Sequence, residues 1–117
     1  MSSDPTVSNP ENYRIMWENE FVRVLEYTDV PGTTTTAHTH PNSVMVTLSG
    51  FQRKLMSGGH EVEVVLPPGK AVWLAAQEHA GSNTGDTPTH TVLIELKGDA
   101  AGSPADPALG PVAPPVP

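Results

Sequence analysis

The 117-residue sequence contains no cysteine, which excludes a disulfide framework and any thiolate ligation of a metal. No apolar run approaches the roughly 18 residues of a membrane-spanning helix, and no charged-then-apolar leader opens the chain. Basic side chains are scarce and scattered: 6 Lys and Arg against 13 Asp and Glu give a formal net charge of −7. A nucleic-acid surface needs clustered basic charge, so that class is set aside. Aromatic residues make up only 5% of the chain. The expectation is a cytoplasmic protein with neither nucleic acid nor membrane as partner.

Proline, by contrast, is plentiful. Of its 13 copies, 6 fall in residues 98–117, "GDAAGSPADPALGPVAPPVP", where large apolar residues are almost missing. Such a stretch cannot offset its ordering entropy by burial and reads as a flexible tail. Residues 1–12, "MSSDPTVSNPEN", read as a flexible N-terminal segment. One domain remains, over residues 13–97, and its length of about 85 residues favours a bound metal or a homodimer.

Within that domain the periodicity is that of strands. "EFVRVLEY" (20–27) alternates and is followed by the turn signal "TDVPG"; "TTTTAHTH" (33–40) is β-branched; "SVMVTLSG" (43–50) ends in glycine. "FQRKLM" (51–56) and "HEVEVVL" (60–66) flank "SGG", a hairpin signal. "KAVWLAA" (70–76) and "THTVLIELK" (89–97) are further strands, "GSNTGDTP" (81–88) is a loop, and "ENYRIMWENE" (11–20) has room for one helical turn. Short strands at near ten-residue spacing, punctuated by Gly and Pro, define an all-β sandwich or barrel.

His38 and His40 are the chemical feature of this pattern. Residues two apart on a strand share a face and stand about 6–7 Å apart, so both imidazoles can reach one ion. Thr34 and Thr36 share that face if the strand is regular. A third ligand must come from another segment, and "QEHAGSN" (77–83) offers His79, just after strand 70–76.

These residues resemble two motifs of the cupins. Gly32, His38-Thr39-His40 and Gly50 match the first; Gly69, His79 and Asn83 match the second; "PPG" (67–69) resembles the turn between them. The resemblance covers about residues 18 to 97. It implies a double-stranded β-helix, a jelly-roll barrel holding one divalent metal, often as a dimer, with His38, His40 and His79 as ligands. The carboxylate that the first motif usually carries next falls here on Ser43, Val44 or Met45, none of them an ordinary ligand. The Pro-x-Gly of the second motif reads Ala75-Ala76-Gln77, with one residue fewer before the histidine.

Other residues have plainer readings. Asn83 caps its loop, His60 is solvated, and His90 is exposed or supports a ligand. Glu95 is an outward-pointing charge, with an inward substitute carboxylate as the other option. Glu78 is a surface charge, with a rim acid or base as the other option. Met45, Trp73 and Phe51 are core or pocket lining.

Imidazole suits Fe, Cu, Zn, Ni and, with less preference, Mn, so ligand type leaves the metal open. Iron or copper would support a dioxygenase-like oxidoreductase acting on a small organic molecule, the favoured expectation. A Lewis-acid ion would support isomerase, lyase or hydrolase chemistry. A non-catalytic small-molecule-binding barrel is the third class.

Overall fold

The computed structural model describes residues 4–104 and 109–112. In chain order the elements are α1 (Pro5–Ser8), β1 (Tyr13–Glu18), β2 (Val22–Asp29), β3 (His38–His40), β4 (Ser43–Thr47), β5 (Phe51–Ser57), β6 (His60–Leu66), β7 (Ala71–Leu74), β8 (Gln77–Asn83), β9 (Thr89–Leu96), a 3₁₀ turn (Gly98–Ala101) and β10 (Pro111–Val112). They form a six-stranded sheet, β1-β2-β9-β4-β7-β10, and a four-stranded sheet, β3-β8-β5-β6. All pairings are antiparallel. This is the expected all-β double-stranded β-helix.

Alternation sets which side chains meet inside. On β9, Thr89, Thr91, Leu93 and Glu95 are buried while the residues between them are half-exposed. Tyr13, Leu25, Tyr27, Leu74 and Leu93 make the core of the larger sheet, with Met45 packed against them. Opposite them stand Phe51 and Leu55 of β5. The β5–β6 hairpin turns on Gly58 and Gly59, at φ 55° and 82°, the left-handed conformation that a two-residue hairpin loop requires.

A row of apolar side chains crosses the outer face of the larger sheet. Trp17, Val24, Ile94, Val44, Trp73 and Val112 stand in register across its six strands. Trp73 therefore lies on this outer face rather than in the core.

Three segments depart from the sequence reading. Residues 11–20 contain a strand, β1, instead of a helical turn; it pairs with β2 through a register shift between Ile15 and Trp17. "GSN" (81–83), read as the start of a loop, closes a strand, β8, in which His79 sits opposite His38 in the ladder. The threonine run is irregular: Thr34 and Thr36 are exposed and Thr35 is buried, because Asn9 Oδ1 accepts the Thr36 amide at 2.9 Å and holds it off the ladder.

Parts of the segments expected to be flexible make contacts with the barrel. Asp4 caps α1 through the Thr6 amide, and Asn9 is buried. Asn42 accepts the Ala76 amide through its side chain (2.8 Å) and donates to the Ala100 carbonyl (3.1 Å), tying the 3₁₀ turn down. Pro111–Val112 extends the larger sheet beside β7. Residues 1–3, 105–108 and 113–117, also assigned to these segments, lie outside the described residues.

Candidate metal centre

His38, His40 and His79 converge inside the barrel, and one ring nitrogen of each lies within 4.8 Å of the others. Register produces this meeting: His38 and His40 flank Thr39 on β3, and His79 faces His38 from β8. All three are buried, at 1%, 1% and 5% exposure. Their ring centroids stand 4.8–5.0 Å apart.

Each ring is held by its Nδ1. His38 donates to the Thr36 carbonyl (2.7 Å), which can only accept. His79 donates to Gln77 Oε1 (2.7 Å). The amide of Gln77 is oriented from both ends, since Oε1 also accepts the Gly110 N–H (3.0 Å) and Nε2 donates to the Ala75 carbonyl (2.9 Å). His40 donates to Glu95 Oε2 at 3.1 Å. With Nδ1–H committed, each Nε2 carries the lone pair that can bind an ion, the arrangement by which outer partners fix the tautomer of a metal-binding histidine.

Burial keeps these rings neutral. Desolvation, reinforced by its His38 neighbour, lowers His40 to about 3. Desolvation likewise pushes His38 down and His79 well down. Neutral imidazoles are what a cation binds, so the donor set fits a divalent transition metal.

Glu95 corrects the reading of an outward charge. It is 2% exposed, and its two oxygens bridge His40 Nδ1 and the Arg23 guanidinium (2.9 Å). Arg23 continues to Asp4 at 2.8 Å. Burial raises the Glu95 carboxyl and Arg23 opposes that; with His40 and Arg23 both donating to it, the ionised form satisfies the network. Glu95 thus faces inward but supports His40 from behind instead of meeting the ligand atoms. Sequence could not place it, because "TVLIELK" is apolar on both faces.

Tyr13 had no sequence signal, lying in the segment read as a helical turn. Its hydroxyl is 3.2 Å from His38 Nε2 and 3.4 Å from His40 Nε2. Burial pushes the phenol well above its ordinary value, so it is a neutral donor here.

A second polar cluster stands deeper in the barrel. Buried Arg53 is ion-paired with Asp29, and its Nη1 donates to Thr89 Oγ1 (3.2 Å) and Nη2 to the Tyr27 hydroxyl (3.1 Å). Asn83 donates to Asp29 Oδ1 (2.9 Å) and accepts the Gly85 amide (3.0 Å), which is the loop-capping role expected of it. His60 and Glu78 are exposed. His90 is half-exposed and hydrogen-bonded through Nε2 to Glu26 Oε2 at 2.7 Å, away from the centre.

The histidines open onto a cavity of ≈ 50 Å³ that also exposes Arg53, Met45, Phe51 and Pro111. No carboxylate lines it among the described residues.

An antiparallel jelly roll with three inward histidines is the architecture of the small cupins, and solved cupin structures share its fold. The chain is similar to a cupin domain protein from Bordetella pertussis, at 28% identity over 74% of this chain and 92% of that one, TM-score 0.68. A double-stranded β-helix protein from Klebsiella pneumoniae is 22% identical over 75% and 77% of the two chains, TM-score 0.59. A polyketide cyclase from Streptomyces resistomycificus is 17% identical over 72% and 63%, TM-score 0.54, and shares the fold alone. No family model and no curated protein sequence matches the chain. No helix among the described residues is long and apolar enough to cross a membrane.

Proposed function

We propose that this cupin is a cytoplasmic metalloenzyme of the dioxygenase-like class, acting on a small organic molecule with a divalent metal held by His38, His40 and His79. The observation that carries the metal is the triple Nδ1 lock: a carbonyl, a carboxylate and an amide oxygen commit three buried imidazoles to present Nε2. A bound iron or copper ion would supply redox chemistry at an organic substrate.

The chain's own residues do the rest. Thr36, Glu95 and Gln77 orient the ligands, and Met45, Phe51, Leu55 and Leu93 exclude water from the cavity. That cavity is far below the ~300–1,000 Å³ of pockets for drug-sized ligands, which supports a small substrate. The lining favours oxidation over Lewis-acid isomerase or lyase chemistry. The latter needs a general base, and the nearest acid, Glu95, is spent on His40 and Arg23.

Metal content of tag-free protein by mass spectrometry, beside a His38→Ala/His79→Ala variant, tests the reading. Near-stoichiometric iron or copper lost in the variant is expected. Zinc, nickel or manganese lost likewise would move the assignment to Lewis-acid chemistry. Negligible metal in both, even after reconstitution, would leave a non-catalytic binding barrel.

A further inference from the structure

We propose that the phenolic oxygen of Tyr13 is a fourth protein ligand of the metal, completing the set begun by His38, His40 and His79. The inference rests on the metal-site reading above and adds a residue from a different strand, β1, to the two strands that carry the histidines.

Distance is the first argument. Around a tetrahedral ion with bonds of ~2.0–2.1 Å, neighbouring ligand atoms stand ~3.3–3.4 Å apart. Tyr13 Oη already stands 3.2 Å from His38 Nε2 and 3.4 Å from His40 Nε2, one ligand edge from each. The three histidine nitrogens, within 4.8 Å of one another, need small ring rotations to close to the same spacing.

Stoichiometry is the second. One hydroxyl carries one proton, which cannot satisfy two Nε2 lone pairs at once. A cation among them meets both nitrogens and the oxygen together, the phenolic proton passing to solvent as the oxygen binds.

The third is that, among the described residues, no carboxylate reaches that side. Glu95 is on the Nδ1 side of His40. Where the first cupin motif usually supplies a carboxylate, Ser43 turns its hydroxyl to the Pro41 carbonyl at 2.7 Å.

The ring is held without help from its oxygen. Tyr13 pairs with Tyr27 in the ladder, their ring centroids are 4.6 Å apart, and it belongs to the same core cluster as Leu25, Leu74 and Leu93. Tyr13→Phe therefore keeps the packing and removes the ligand atom alone. An ion that accepts five or six ligands retains positions for substrate beside these four.

Copper(II) is the probe. A phenolate on copper(II) gives a visible charge-transfer band that imidazole ligation lacks. Metal-free wild type and Tyr13→Phe are titrated with copper(II), beside Tyr27→Phe as a control for a buried phenol, with thermal unfolding to show that each variant folds. The band is expected in wild type and Tyr27→Phe and absent from Tyr13→Phe, whose affinity for zinc against a competing chelator falls about tenfold or more. Copper bound through the histidines with no band, or a band that survives in Tyr13→Phe, overturns the proposal and leaves the three-histidine site standing. A wild type that takes up neither copper nor zinc overturns both.

Discussion

Single residues in this barrel differ less in burial than in what their burial demands. Asp29 is buried against Arg53, and burial by itself raises its carboxyl. Tyr27, Arg53 and Asn83 all donate to it and outweigh that, holding it below its ordinary value. In the unfolded chain an aspartate titrates near ~3.9. The folded protein therefore binds fewer protons as acid is added, so the Asp29 contribution is complete above about pH 4 and lost as pH falls through the depressed folded value. Asp29→Asn leaves the Arg53 cation buried without its counter-charge and is expected to cost about 3 kcal/mol at neutral pH. Urea unfolding at neutral and acidic pH checks both parts, because the gap between wild type and variant must narrow in acid.

The residues legible in advance were those whose spacing is local. His38 and His40 share a strand face, and His79 follows from a motif. Tyr13, Glu95 and the Asp29–Arg53 pair were not legible, since each depends on register between strands distant in sequence. Glu95 meets His40 across 55 positions and Tyr13 meets His38 across 25. A strand that is apolar on both faces gives no sign of which side its one acid takes.

Among the elements, β8 carries the tightest constraint. It pairs with β3 through His79 and with β5 through Gly81, and it was read in part as loop because its glycine and polar residues carry turn chemistry. The glycine has another reason. A Cβ at Gly81 would stand 2.8 Å from Arg53 Nη2 and 3.1 Å from Leu55 Cδ2. Arg53 cannot swing aside without leaving Asp29. Gly81→Ala is accordingly expected to destabilise by about 1–3 kcal/mol, read by denaturant titration, and a neutral result would mean that the guanidinium has room the packing denies it. The hairpin at Gly58–Gly59 was visible beforehand because its signal is contained in the loop. β1 was hidden because its inward face offers one tyrosine and then side chains that are exposed.

Across the whole molecule, both tryptophans lie on the outer face of the larger sheet, in the row that runs from Trp17 to Val112. Trp17 is 53% exposed. In a chain with few aromatics this is a costly place for them unless it is covered, and tryptophan is enriched where proteins meet. We propose that a second copy of the chain seats there. Sedimentation velocity is expected to give a dimer for the wild type and a monomer for Trp17→Glu/Trp73→Glu; a monomeric wild type would refute it.

The segments around Asn9 and Gly110, before and after the main strands, also reach the histidines from behind. Asn9 lies against His38 and Thr36 (3.4 and 2.9 Å), and the Gly110 amide binds the glutamine that orients His79 (3.0 Å). Coupling between two binding events is reciprocal. An ion gripped by those rings would steady the segments behind them, and loosening those segments would weaken the grip. A protease nibbling at either segment would then be reading what the barrel holds.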